Sequence, residues 1–206
     1  MKINQVSDDY VKAIQIGDIV KIRMGLMDGL DVNGTSPNGM PLLGLLQTNK
    51  EEVARLLLES GANPDQRKDG QSILSWACQA SYIDLVKVLL EFNADPEIDD
   101  GDPMCKALGA ETEEDTIKIM DLLFTYGAEF NRIYTFSDGF EGTLFMRAIE
   151  EGKKEVIKFL LDQEIDFHFV NKEGKSALSL AKDKEMKDVV MALKQKGVTL
   201  GSTSNK

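Results

Sequence analysis

Scarcity is the first feature of this chain: two cysteines, one histidine, one tryptophan and five prolines in 206 residues. Cys78 and Cys105 are too few for a disulfide framework, and both lie in apolar helical context, where a small buried thiol is the expected role. A lone histidine, His168, supplies neither a zinc ligand set nor a base placed by sequence beside a Ser or Cys nucleophile, so it is expected to serve a loop. Basic residues are also short, 24 Lys and Arg against 35 Asp and Glu, leaving a net charge of -11. Such a surface lacks the cations that phosphate neutralisation requires, which argues against nucleic acid and favours a basic protein partner. No run reaches the roughly 20 apolar residues of a membrane span, and the N-terminus carries no signal-like segment, so the expectation is a cytosolic protein without a membrane association.

Hydrophobic residues are nonetheless 42% of the chain, enough for a real core. They recur with a period. VARLLLESGANPD (Val53 to Asp65) is echoed by LVKVLLEFNADPE (Leu85 to Glu97), IMDLLFTYGAEFN (Ile119 to Asn131) and VIKFLLDQEIDFH (Val156 to His168). A degenerate first copy, IRMGLMDGLDVN, and a short last one, VVMALKQKG, flank them. The stop falls at Gly29, Gly61, Asn93, Gly127, Glu164 and Gly197, at intervals of 32, 32, 34, 37 and 33. Ahead of each of the later stops lies a turn and a short apolar helix: NGMPLLGLL, DGQSILSWAC, GDPMCKAL, EGTLFMRAI and EGKSALSLA. Gly, Asn and Asp supply the turn, Ser, Thr or Asp the N-cap, and Pro41 and Pro103 an early helical position. Each copy therefore reads as turn, short helix, amphipathic helix and stop.

In these two phrases the chain resembles the ankyrin repeat, from about Asp9 to Gly197. The resemblance implies an all-α solenoid of stacked helix-turn-helix units with projecting loops, spanning 9–33, 34–66, 67–98, 99–132, 133–169 and 170–200, the first and last serving as caps and 201–206 as a disordered tail. The His of the family's T-P-L-H phrase is absent, replaced by Leu43, Ser75, Cys105, Met146 and Ser179, which predicts less uniform junctions. Stacking assigns Leu56, Leu57, Leu89, Leu122, Leu160 and Val190 to the core. The family resemblance implies a noncatalytic module that binds another protein through its concave face and inter-repeat loops.

Candidate contacts sit at the loop tips and inner helices. The third repeat offers Lys68, Asp69, Gln71, Trp76 and Gln79; Trp76 has two open roles, packing or partner contact. The fourth offers Asp99, Asp100 and Lys106 within the acidic stretch Asp95 to Asp102, with a further acidic turn at Gly109 to Thr116, read either as solvated surface or as a steering surface. The fifth carries a front loop, NRIYTFSDGFEG, about four residues longer than the family spacing, with Tyr134, Phe136, Asp138, Phe140, Glu141 and Arg147 in or after it. Its rings are either a binding hot spot or the cover of an enlarged gap between repeats. The sixth offers Lys172, Glu173 and Lys175.

Other chemistry is not supported. DPEIDDGD places its glycine one position late for a calcium loop and has Lys106 at the twelfth position. NKEGKSAL lacks the glycine that a phosphate-binding loop needs five residues before Gly174. No catalytic residue, metal or cofactor is expected, and a monomer is expected when unbound. An alternative within the same class is an inhibitor or immunity protein that masks a basic toxic enzyme such as a nuclease.

Overall fold

Where the helices stop decides how the repeats are spaced. The computed structural model describes residues 5–47 and 50–199, and among them the backbone takes left-handed φ at Gly29, Gly61, Asn93, Gly127 and Gly197. These are five of the six stops read from the sequence. Asn93, at φ 62°, shows the one common non-glycine solution, since its short amide tolerates this region. Glu164 does not adopt it. The preceding helix instead ends through the tighter bonds Asp162 N–H to Phe159 O and Gln163 N–H to Leu160 O, while the Gln163 side chain caps Phe159 O as well.

The helices are α1 (Asp8–Ile16), α2 (Ile19–Met27), α3 (Glu51–Glu59), α4 (Ile73–Gln79), α5 (Ile83–Glu91), α6 (Ile98–Ala107), α7 (Glu113–Thr125), α8 (Leu144–Glu151), α9 (Lys154–Leu161), α10 (Ala177–Asp183) and α11 (Lys187–Gln195). A 3-10 turn, Leu42–Leu45, stands where the second repeat's first helix was expected. A Cβ on Gly44 would lie 2.6 Å from Met40 Sδ and 2.9 Å from Ile73 Cδ1, so a larger residue here would require the ends of those two side chains to shift. Among the described residues the fold is mostly helical, with two antiparallel strand pairs, β1 (Arg67–Lys68) with β2 (Gln71–Ser72), and β3 (Tyr134–Thr135) with β4 (Glu141–Gly142).

The structure divides into two lobes. One runs to Glu111 and includes Lys118–Ala128; the other holds Thr112–Ile117 and the chain from Glu129 onward. Within the first, Leu57, Leu74 and Leu89 are fully buried; within the second, Leu144, Phe145 and Leu160 are. Leu56 is buried as expected, but Leu122 and Val190 are only half-buried. Both lie on amphipathic helices, at positions where the buried face gives way to solvent.

Each described repeat junction carries a polar tie that hydrophobic patterning does not reveal. Two residues past four of the six stops, Asp31, Asn63, Asp95 and Asp166 accept the N–H of the residue two further on, at 2.8–3.0 Å. At three junctions the residue four past the stop reaches the next repeat. Asn33 Oδ1 accepts Asn63 N–H at 2.7 Å and Asp65 Oδ1 accepts Asp95 N–H at 2.9 Å in the first lobe; Asn131 Oδ1 accepts Asp166 N–H at 2.8 Å in the second. At the opposite ends of the helices other ties repeat the device. Lys50 donates to Ile16 O, Ser81 Oγ accepts Glu111 N–H, and Glu113 Oε2 accepts the N–H groups of Glu155 and Val156 at the start of α9. An acidic side chain thus satisfies helix N-terminal donors on a neighbouring repeat.

The positions of the missing His are filled by local chemistry. Ser72 and Thr143 cap their helices by accepting Ser75 N–H and Met146 N–H, and Ser176 forms a reciprocal capping box with Ser179. Leu43 and Met146 are buried.

Asp65 and Asn131 occupy equivalent positions and reach the next repeat through a side-chain oxygen, whereas Asn33 also donates from Nδ2. Asn131→Ala should lower stability by about 1 kcal/mol, read as a lower urea midpoint with an unchanged slope, whereas Asn131→Asp, which keeps the acceptor, should be close to neutral.

Candidate partner-binding surface

Two consecutive left-handed residues, Asp69 (φ 51°) and Gly70 (φ 87°), close the hairpin β1–β2. This is the tight turn whose twist suits paired strands. Ser72 then caps α4, so the hairpin tip and the first helix are held as one piece. Trp76, on α4, is half-buried with its edge against Tyr82, the ring centroids 5.0 Å apart at 77°. Its exposed side joins Met40 and Ile73 as the apolar floor of a hollow of about 180 Å³, rimmed by Lys68, Asp69 and Gln71. Asp69 and Gln71 also border a wider, open hollow of about 420 Å³, completed by Gly70, Asp99, Asp102 and Lys106. Gln79 is exposed at the end of α4.

The fourth repeat, which borders that second hollow, departs from expectation. Glu97 to Asp102 reads as a loop tip, yet α6 begins at Ile98 and carries Pro103 in its interior, with Asp99 and Gly101 left-handed in its first turn. The acidic run is not a bare patch. Asp99 binds Arg67 Nη1 at 2.6 and 2.7 Å, and Asp102 lies 3.7 Å from Lys106 Nζ. Asp100 lies on α6, but its side chain is outside the described residues.

The long loop of the fifth repeat is an ordinary finger set on a longer hairpin. Phe136 N–H to Phe140 O and Gly139 N–H to Phe136 O form the same turn as Ser36 to Met40 and Asn171 to Lys175. The added length goes into the pairs Tyr134 with Gly142 and Thr135 with Glu141. Tyr134 is buried, at 8% exposure, and continues a chain of rings through Phe136 and Phe140 at 6.0 and 5.9 Å. Arg147, from α8, lies over Phe136 at 4.8 Å and Phe140 at 5.8 Å, and binds Asp138 and Glu151 at 2.6 Å each. These rings therefore pack within their own finger and on Arg147, while Phe136 and Phe140 stay half-exposed. The next finger is tied to it: Asn171 Nδ2 donates to Glu141 O, and Lys172 Nζ is 3.1 Å from Glu141 Oε1. Lys175 pairs with Glu173 at 3.4 Å.

The remaining reactive side chains are occupied structurally. Cys78 is fully buried, and burial, with a smaller contribution from the Asp102 charge, pushes its thiol up, so thiolate is scarce at neutral pH. Cys105 is only half-buried, contrary to expectation, because it faces the flank of α6 and not its packed side. His168 N–H and Nδ1 both address Asp166 Oδ1. Among the described residues, no three His, Cys, Asp or Glu side chains are grouped to hold a metal, and no helix is long and apolar enough to cross a membrane.

Residues that patterning missed include Glu113, Ser81 and the junction Asn and Asp pairs. The junction pairs had a signal, an Asn or Asp two residues after Gly29, Gly61, Asn93 and Glu164, whereas Ser81 and Glu113 had none. The sequence reading also passed over the outer side of α2, where Val20, Met24 and Met27 are 70, 59 and 87% exposed in a single stripe.

The periodic stops, paired helices, projecting hairpins and junction ties define a repeat fold. A family model for ankyrin repeats (3 copies) matches residues 11–100 and 108–204, and the chain belongs to the ankyrin repeat family. It is similar to ankyrin repeat, SAM and basic leucine zipper domain-containing protein 1, at 36% identity for that of Colobus guereza and 34% for that of Homo sapiens. Each match runs over 104 residues, 48% of this chain, and the chain spans only 22% of the length of these relatives. Among solved structures it resembles an ankyrin repeat domain from Acinetobacter baumannii, with a TM-score of 0.76, 18% identity, 93% of this chain and 100% of that one. It also resembles the ankyrin repeat domain of Bcl-3, a member of the IκB family, with a TM-score of 0.75, 18% identity, 95% of this chain and 88% of that one. Ankyrin repeat domains are typically noncatalytic and mediate protein–protein interaction.

The Arg147 hydrogen bond, followed by that from Phe140 N–H, holds the Asp138 carboxyl below its ordinary range. A group depressed on folding stabilises the finger above its unfolded value, about 3.9, and the contribution is lost as pH falls through the lower folded value. An NMR titration of Asp138 should therefore give a depressed midpoint, which Arg147→Met should return toward the ordinary range.

Proposed function

We propose that this chain is a noncatalytic binding module that engages a protein partner through its finger tips and first helices, centred on the third repeat. The observation that carries this reading is Trp76: a large ring left half-exposed beside a rigid hairpin and two open hollows, at a position where a purely structural tryptophan would be covered. Lys68, Asp69, Gln71 and Gln79 surround it with adaptable polar groups, and the finger around Phe136 and Phe140 supplies a second preorganised element. We place the protein in the cytoplasm, as a monomer when unbound.

The net charge of -11 supports a second, narrower reading, in which the partner is a basic enzyme that the module inhibits, as an immunity protein masks a nuclease. Rising salt and Asp69→Asn, which removes a charge while keeping a residue suited to the turn, should then slow association. Salt-independent binding would exclude it.

A photo-crosslinking residue placed at Gln79 should give one saturable protein adduct in an extract of the native cell, and the same residue at Lys87, on the outer helix α5, should give none. Trp76→Ala should then weaken that partner's binding at least tenfold, about 1.4 kcal/mol. Equal adducts from both positions would overturn the assignment of the surface.

A further inference from the structure

The chain contains two Asn-Gly pairs, Asn33–Gly34 and Asn38–Gly39, five residues apart. Glycine offers no Cβ to hinder attack by its own nitrogen on the preceding side chain, so such pairs are prone to deamidation. Here they sit in contrasting surroundings. Asn38 occupies the exposed turn of the second repeat's finger, where its side-chain oxygen accepts from Ser36 Oγ. Asn33 is exposed as well, but it is the junction residue. Its Oδ1 accepts Asn63 N–H at 2.7 Å and Gln66 Nε2 at 3.1 Å, and its Nδ2 donates to Gly61 O at 3.0 Å. The two glycine nitrogens do not differ, since Gly34 N–H donates to Asp31 O at 3.0 Å and Gly39 N–H to Ser36 O at 2.8 Å, so the contrast lies in the bonds made by the side-chain amide.

We propose that Asn33 is a deamidation site whose reaction is held off by the junction between the first and second repeats, and whose product weakens that junction. In the reaction the Gly34 nitrogen loses its proton and bonds to Cγ of Asn33, the Cγ–Nδ2 bond breaks, and ammonia leaves with the proton it requires. Solvent water then opens the cyclic imide to aspartate or isoaspartate. The first step is held off while the side-chain amide is bonded to Asn63, Gln66 and Gly61, so reaction must pass through a local opening. Aspartate keeps an acceptor for Asn63 N–H but sets a charged oxygen against Gly61 O, where a donor had been. Isoaspartate also lengthens the backbone by one carbon and shifts the acceptor out of register. The opening that permits the reaction is thereby favoured by its outcome.

The test is to incubate the intact chain at neutral pH and 37 °C, with and without unfolding urea, and to follow conversion at each asparagine by tandem mass spectrometry. Folded chain should convert Asn33 at least about tenfold more slowly than Asn38, the factor an opening free energy of about 1.4 kcal/mol imposes, and urea should bring the two rates together. Asn33→Asp, a mimic of one product, should lower the urea midpoint. Equal rates at the two sites in the folded chain, or an unchanged midpoint in Asn33→Asp, would overturn the proposal.

Discussion

A single side-chain oxygen reaching a backbone N–H in the next repeat is the constraint on which the rest of this structure depends. A helix pair cannot bury its own apolar face, so each repeat needs a neighbour, and hydrophobic burial supplies the attraction but no exact register. The bonds from Asn33 to Asn63, Asp65 to Asp95 and Asn131 to Asp166 fix that register at one end of the helices, while Ser81 to Glu111 and Glu113 to α9 fix it at the other. With both ends pinned, the hairpins project from a defined base. A finger such as Tyr134 to Gly142 can then bury Tyr134 at its base while holding Phe136 and Phe140 half-exposed.

The helical repeat was legible in the sequence because its cause is local. Gly29, Gly61, Gly127 and Gly197 must be left-handed where the helix ends, and the apolar spacing before each stop is the spacing of a helix face. Where the cause is not local, the reading failed. At Leu42–Leu45 a 3-10 turn replaces the expected helix, and the space a Cβ on Gly44 would enter is taken by Met40 and by Ile73 of the following repeat. At α6 the expected finger is replaced by a helix whose first turn is pinned through Asp99 to Arg67, about a repeat away along the chain.

The candidate surface was legible in part for the same reason. A turn of Asp-Gly between extended residues announces the hairpin that carries Lys68 and Gln71, and Trp76 follows from helical phase. Sequence could name the acidic residues but not their occupants: Asp99 is held by Arg67, Asp138 by Arg147, and Glu113 by the amides of α9. Each was countable as surface charge, and each is already engaged in shaping the chain. The pairing leaves the net charge of -11 unchanged but makes the carboxylates that remain unpaired fewer than a count of acidic residues implies.

The junction tie has a consequence for how such a chain can change over time. Its donor is a backbone amide, which every residue but proline provides, and its acceptor is met equally by Asn33, Asp65 and Asn131. A repeat copied whole brings its own acceptor and presents its own amide, so a duplicated or excised repeat leaves both neighbours with a compatible fastening. Length can therefore be gained or lost in steps of one repeat without new complementary residues having to arise together.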